Sequence, residues 1–338
     1  MFSLLKKYYF PLMNTKKILT FSLKLAITTL VFWWIERSFG FSNIARTLSQ
    51  ADFRWFIAAI SIHIVSILLG AWQWRIILKN RGLRLPVFET VKLYYTGMFF
   101  NNFIFGTIAG DSFKVAVLHK KNHKGKSGFA ATFLDRFAGL AVLSIFAVIG
   151  GVIINAVNFA NSEDLYFTML VLAFFAIVLT MVFSIIFSRN IQVLFSNILL
   201  KLPFESAKKI ENIVSSVYIN RRNKRDTKML GEIFALSFLI QTIRISAHIF
   251  CAAAIGIFTF NTIHYYFVII PMTAILMMIP LPFGVIPAIA GALFAFAGFN
   301  PESAVIMQFL AAITAIIGSL AGAVFFFIDR KVDKRVRQ

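Results

Sequence analysis

Six runs of about 20 predominantly apolar residues, each bounded by charge, constrain this chain more than any other feature: approximately 17–37, 53–74, 137–158, 165–188, 229–258 and 303–328. An α-helix of roughly 20 such residues crosses the ~30 Å hydrocarbon core of a bilayer, so the sequence predicts an all-α polytopic membrane protein. Composition agrees. Of 338 residues 59% are hydrophobic, 14% are charged, and mean hydropathy is +0.80, whereas soluble domains are roughly 45–50% apolar. The longest charged stretch, 189–228, is too short to bury a core of its own, which argues against a soluble enzyme domain. Cys251 is the lone cysteine and excludes an intrachain disulfide or a thiolate metal cage. The first run ends in Glu36-Arg37 with no small-residue cleavage pattern, and reads as a retained anchor.

The charge is lopsided, with 34 Lys and Arg against 14 Asp and Glu, a net +20. With the N-terminus in the cytoplasm, segments 1–24, 75–92, 114–126, 189–228 and 329–338 hold 29 of the 34 basic residues; Arg37, Arg46 and Arg54 fall on the other side, and Arg136 and Arg244 fall near or within spans. The positive-inside rule then places both termini in the cytoplasm of a cell whose cytoplasmic (inner) membrane holds the protein. Trp33, Trp34 and Trp55 mark the outer interface and Trp72 and Trp74 the inner one. This basic charge serves orientation and attraction to anionic lipid rather than nucleic acid.

Two apolar stretches do not fit as single crossings. Residues 87–113 begin and end beside cytoplasmic charge and predict a re-entrant hairpin from the inside. Residues 265–300 predict a hairpin from the outside, broken at Pro280, Pro282, Gly284 and Pro287. Irregular backbone at membrane depth is tolerated only against protein or a wet cavity. The whole chain, 1–338, is one membrane domain whose second half (165–328) repeats the first (15–158) upside down, with Phe105-Gly106-Thr107-Ile108 and Phe283-Gly284-Val285-Ile286 in matching places. Such inverted repeats with paired broken helices point to a transporter; the bland alternative is two kinked helices packed tightly. Residues 190–228 connect the halves, with an amphipathic helix predicted over 204–222.

Polar residues inside apolar runs carry the functional argument. Ser237, Gln241, Arg244 and His248 share one face of the fifth span, and Arg244 awaits an anionic headgroup or pairs with Asp111 or Asp135. The inner hairpin holds Asn101, Asn102, Gly106, Gly110, Asp111 and Lys114. Asp111 caps the returning half-helix, or it positions Lys114, Arg136 or Arg244 while the half-helix N-terminus and Lys114 face an anion. Asp135-Arg136 opens the third span, where it would also suit an interfacial pair. His63 reads as a hydrogen-bonded packing residue. His119 and His123 stand in a basic loop without carboxylates, and no metal or other cofactor is expected.

The run Asn102–Lys114 with Gly110-Asp111 and a basic residue three further on, followed by Asp135-Arg136-Phe137-Ala138-Gly139-Leu140, resembles the flippase-like transmembrane family related to the membrane domain of lysylphosphatidylglycerol synthases. There G-D-x-x-R and D-R-x-x-G-L segments are the recognisable motifs, and the resemblance covers about 15–330. Lys114 stands where Arg is usual. In the second half Gly284 is followed by Val285-Ile286-Pro287 instead of G-x-x-E, and Thr314 lies near the place of a family Arg.

The resemblance implies movement of lipids or lipid-linked groups between leaflets. The expected partner is an anionic phospholipid or a polyprenyl-phosphate-linked substrate, bound by Asp111, Lys114, Asp135, Arg136, Arg244, Gln241, His248 and Asn102, with Gly106, Gly110, Pro282, Gly284 and Pro287 shaping the hairpins. With the last span ending ten residues before Gln338, aminoacyl transfer by this chain is not expected, and no P-loop, H-E-x-x-H or G-x-S-x-G run is present. A lipid-binding subunit that transports nothing is the alternative, and an intramembrane transferase using Asp111 or Asp135 as base is a third. Oligomeric state is not legible.

Overall fold

A computed structural model of the chain describes residues 15–102, 107–122, 124–157, 223–277, 281–282 and 284–335, together with 170, 173–180, 183–184, 188 and 190. No strand occurs among the described residues, 173–180 are helical, and eleven further α-helices are bounded. They are α1 (Thr15–Phe39), α2 (Phe41–Ser49), α3 (Phe53–Asn80), α4 (Val87–Phe100), α5 (Thr107–Asn122), α6 (Gly125–Val157), α7 (Lys224–Ala254), α8 (Ile263–Leu276), α9 (Val285–Phe296), α10 (Pro301–Ser319) and α11 (Ala321–Arg335). Four stretches are long and apolar enough to cross a membrane: Phe53–Asn80, Gly125–Ile154, Lys224–Ala254 and Pro301–Ile328. They coincide with four of the six predicted spans. The first predicted span is helical as α1. The fourth, the connector's amphipathic helix and Gly106 lie largely or wholly outside the described residues.

Short polar caps start the long helices. Asp52 accepts a hydrogen bond from the Arg54 amide at 2.9 Å, Asn223 accepts from Arg225 N–H at 3.0 Å, and Asn300 accepts from Ser303 N–H at 3.0 Å with Pro301 at the first helical position. Each occupies backbone donors that a helix start leaves unpaired. Antiparallel α3 and α7 are tied at both ends. The Asp52 amide donates to Ala254 O at 2.8 Å; at the other end Arg225 Nη2 donates to Lys79 O at 2.7 Å and Asn80 Nδ2 to Asp226 Oδ1 at 3.1 Å. Between these ends the helices meet through small side chains, with Ala59, Ala71, Ala247 and Ala252 all buried, as close approach in an apolar solvent requires.

The α4–α5 pair enters and leaves at the α3 C-terminal end, where Lys124 Nζ donates to Gly82 O and Ser127 Oγ to Arg81 O. It runs to Asn122, nine residues beyond the predicted end of the hairpin. Its two helices cross where glycine meets glycine: a Cβ on Gly110 would overlap the carbonyl oxygen of Gly97. The α8–α9 pair occupies the opposite end, beside the C-terminus of α6, where a Cβ on Gly150 would touch His264 O at 3.2 Å. The break between α8 and α9 ends at Gly284, whose φ of 89° is left-handed and suits glycine alone. Pro287 is not part of the break as predicted. It sits in the first turn of α9, where a missing N–H costs no intrahelical bond.

Two large apolar cores result, one around each helix pair, with a smaller third group of Ala147, Ile154, Phe175 and Val268. The first joins Ile67, Trp74, Ile77, Leu118, Leu134 and Ile233; the second joins Ala59, Phe146, Ile245, Tyr266, Phe294 and Met307. Trp74 is fully buried in the first core rather than marking an interface as predicted, while Trp33, Trp34, Trp55 and Trp72 stay exposed. Short α2, unforeseen between the first two runs, turns Phe41, Ile44 and Leu48 toward α10 around an apolar cavity of about 240 Å³.

Gly110→Ala is expected to destabilise the protein by at least about 1–3 kcal/mol, the usual range for overpacking, because the clash is with backbone. Gly231→Ala on α7, with open space around the new methyl group, should gain up to about 1 kcal/mol from helix propensity. Thermal unfolding of the two purified variants in detergent checks both.

Candidate functional site

Polar side chains gather between the cores. On α3, His63 falls between Ala59 of one core and Ile67 of the other; on α7, Ser237, Gln241 and Arg244 fall between Ile233 and Ile245. The shared face predicted for α7 therefore turns inward, with Ser237 and Gln241 buried.

The first cluster is built on α5. Asp111 Oδ1 accepts from Lys114 Nζ at 3.0 Å, one turn along the same helix. Its other oxygen accepts from Arg136 Nε of α6 at 2.9 Å, and Arg136 Nη2 adds a longer contact at 3.4 Å. Lys114 is only 3% exposed, and its ammonium lies 5.2 Å from the Trp74 ring centroid and 4.7 Å from that of Tyr94. Two aromatic faces and a carboxylate thus enclose it. Lys114, expected from the sequence to face an anion, is engaged here by Asp111, Trp74 and Tyr94. Arg136, at 35% side-chain exposure, is the open member of the triad. Because α6 begins at Gly125, the Asp135-Arg136 pair lies ten residues into a continuous helix and not at the mouth of a span.

Asp111 does not cap α5. That role falls to Asn101, whose side-chain oxygen accepts from Gly110 N–H at 2.7 Å. Asn102 is tied to α10, donating through Nδ2 to Ala315 O and Ser319 Oγ, each at 3.0 Å. The expected hairpin asparagines therefore anchor the tip of α4.

Asp135 belongs to a second network. Gln73 Nε2 donates to its Oδ1 at 2.9 Å and the Tyr94 hydroxyl to its Oδ2 at 3.3 Å. Gln73 Oε1 in turn accepts from Ser237 Oγ at 2.9 Å, which links α6, α3, α4 and α7 through one buried carboxylate. Gln241 presses on α6, where a Cβ at Gly139 would sit 2.7 Å from its Nε2.

Arg244 stands apart. It acts electrostatically on Asp135, yet both oxygens of that carboxylate already accept hydrogen bonds and Asp111 is taken by Lys114 and Arg136. Arg244 forms no ion pair among the described residues, and its Nε is buried without a hydrogen-bond partner. His63 and His248 are its neighbours. The Nε2 of His63 is also buried and unpartnered, so His63 is not the satisfied packing residue expected. A buried donor left unpaired costs about 1–3 kcal/mol.

Sequence reasoning passed over Gln73, Tyr94 and Gln308. The first and last are single amides in apolar runs, the same signal that singled out Arg244, but neither carries a charge. Among the described residues α8 and α9 add no polar side chain to the cluster; Gly284 faces Val31, Phe32 and Phe309, and Pro282 and Pro287 shape that apolar tip. No group of three or more metal-ligating side chains occurs among the described residues.

A family model described as the lysylphosphatidylglycerol synthase TM region matches residues 21–327. A relative, the UPF0104 membrane protein PH1989 of Pyrococcus horikoshii, is 23% identical over 223 residues, which span 64% of this chain and 62% of that protein. The chain thus aligns with less than two thirds of that relative's length. No solved structure matches.

Removing one partner of a buried ion pair strands the other charge. Asp111→Asn should therefore destabilise the protein by about 3–5 kcal/mol, and adding Lys114→Met should recover part of the loss. Denaturation midpoints of the single and double variants measure the coupling.

Proposed function

Because the chain belongs to the lysylphosphatidylglycerol synthase TM-region family of membrane proteins, and because half-buried Arg244 forms no ion pair among the described residues and has a buried Nε without a hydrogen-bond partner, we propose that it is a flippase that carries an anionic lipid or lipid-linked group between the leaflets of the cytoplasmic membrane. The observation that carries this reading is Arg244. Of the three basic side chains in the cluster, Lys114 and Arg136 both pair with Asp111, whereas the Arg244 Nε has no partner. A membrane protein retains an uncompensated interior cation where a substrate or ion pathway uses it.

In this reading the two helix pairs are the gates of an inverted repeat, α4–α5 opening toward the cytoplasm and α8–α9 toward the outside, with both termini cytoplasmic, a placement that the distribution of Lys and Arg supports. An incoming headgroup competes with Asp111 for the exposed guanidinium of Arg136. It then passes to Arg244 while the acyl or prenyl chains remain in lipid. Asp135, held by Gln73 and Tyr94, supplies the opposite charge that keeps Arg244 from binding the anion irreversibly. Lys114 and Asn102 act by positioning the first helix pair, and His248 and Gln241 line the passage beside Arg244. Nothing in this mechanism calls for a chemical step or a cofactor.

Leaflet exchange of a labelled anionic phospholipid and of a polyprenyl-phosphate sugar in proteoliposomes tests the proposal. Wild-type protein should exchange one of them. Arg244→Ala should fall to the protein-free rate with unchanged folded yield, since no ion pair is broken. Wild-type exchange by the variant, or no exchange of any lipid by folded wild-type protein, overturns the flippase reading, and the second outcome favours a lipid-binding subunit.

A further inference from the structure

The apolar cavity between α1, α2 and α10 is a groove. Its floor is one face of α10, where Val305, Phe309 and Ile313 follow at four-residue steps, a stripe about 12 Å long at about 1.5 Å per residue. Phe32 and Ile35 of α1 form one wall, and the Phe32 and Phe309 rings meet with centroids 5.8 Å apart. The apolar face of α2 closes the rest. The enclosed space is about 240 Å³, and every side chain that lines it is apolar. It is not sealed, because Phe41 and Leu48 on its rim are 50% and 42% exposed.

Apolar cavities of about 150 Å³ stay dry and take apolar guests. An open groove in a bilayer meets only one abundant guest, the hydrocarbon chain of a lipid. The shape fits that guest, since the groove follows α10, which belongs to a stretch long enough to cross the membrane, and so runs inward from the helix start as a chain runs inward from its headgroup. Val305 also walls a second apolar cavity of about 330 Å³, between Trp34 of α1 and Phe296 of α9. Paired slots suit a lipid with two chains.

Charge at the same end of the bundle selects the headgroup. There α1 ends and α3 and α10 begin, and Arg37, Arg46 and Arg54 stand together in one stretch although basic residues are otherwise gathered in the cytoplasmic segments. All three are exposed, and none forms an ion pair among the described residues. The acids of that stretch are occupied by backbone, Glu36 accepting from the Phe41 amide and Asp52 from the Arg54 amide. Arg46 lies two residues from both Ile44 and Leu48, on the face of α2 that an interfacial helix turns toward headgroups.

We infer that the groove between α1, α2 and α10 holds an acyl chain of an anionic phospholipid of the outer leaflet, whose phosphate is met by Arg37 and Arg46. The site is separate from the polar cluster of Asp111 and Arg244. It takes from the proposed function only the orientation that makes this end the outer one.

The full chain in phosphatidylcholine proteoliposomes is given a trace of phosphatidylglycerol or of phosphatidylcholine carrying the same diazirine-labelled acyl chain, and the adducts formed on illumination are located by peptide mass spectrometry. Wild-type protein should carry adducts within 41–48 and 305–313, more from phosphatidylglycerol than from phosphatidylcholine. Ile44→Trp fills the groove and should lower these adducts at least about tenfold, the consequence of about two methylene groups losing their burial. The Arg37→Gln/Arg46→Gln double variant should keep the phosphatidylcholine adducts and lose the excess from phosphatidylglycerol.

Equal labelling of wild type by the two lipids overturns the inference, as does labelling unchanged by Ile44→Trp or an excess that survives in the double variant. The absence of any adduct in these segments, the result expected if a second copy of the chain covers the groove, overturns it too. Should Ile44→Trp fail to fold, Ile313→Trp at a partly exposed point of the groove floor takes its place. Adducts that depend on Ile44 and the arginines, in a protein that exchanges no lipid between leaflets, support the site and discard only the flippase; Arg244-dependent exchange without such adducts does the reverse.

Discussion

Asp111 bridges Lys114 of its own helix and Arg136 of α6, and the placement of the first helix pair depends on that shared carboxylate. A lone carboxylate in an apolar interior is prohibitively desolvated, and so is each cation. Together, with Trp74 and Tyr94 stacked against the ammonium, they form a unit that is stable only when α5, α6, α3 and α4 are in register. The bridge therefore works less as a source of net stability than as a specification of which helices meet and at what height.

Around it the fold separates two jobs. The apolar cores on either side supply close packing, dominated by alanine where helices approach and by aromatic rings where they diverge, as with Tyr266, Phe294 and Phe299. The layer between them carries hydrogen bonds that run across helices and not along them, such as Ser237 to Gln73 to Asp135. A polar layer of this kind is costly in hydrocarbon unless its members satisfy one another. Most do. The Nε of Arg244 and the Nε2 of His63 do not.

Much of this is legible in the sequence because the bilayer leaves few options. Length and apolarity are enough to find α3, α6, α7 and α10, and a polar residue in an apolar run is enough to find Arg244. Helix pairs are legible from their broken patterns, but their bounds are not: Lys114 and Lys120 look like the cytoplasmic edge, whereas α5 carries its charge inward and hides Lys114 between two rings. Trp74 misleads for a related reason. Tryptophan prefers the interface on average, and only the tertiary partner, a Thr132 hydroxyl accepting its indole N–H at 3.2 Å, draws this one inside. The role of Asn101 as cap in place of Asp111 is likewise a matter of which side chain the turn aims at the helix start, and residue type alone does not decide between them.

The crossing of Gly97 and Gly110 fixes more than distance. With backbone pressed on backbone and Asn101 holding the Gly110 amide, α4 and α5 have no side-chain cushion over which to slide, so they can only move as a single lever. The pivots of that lever must then lie outside it, in the connection around Gly82, whose φ of 78° gives the chain a reversal without a side chain to obstruct it, and in the short link before Gly125. Displacement at those two points is delivered undiminished to the tip near Asn102, about 21 Å away along α4, where it reaches the backbone of α10.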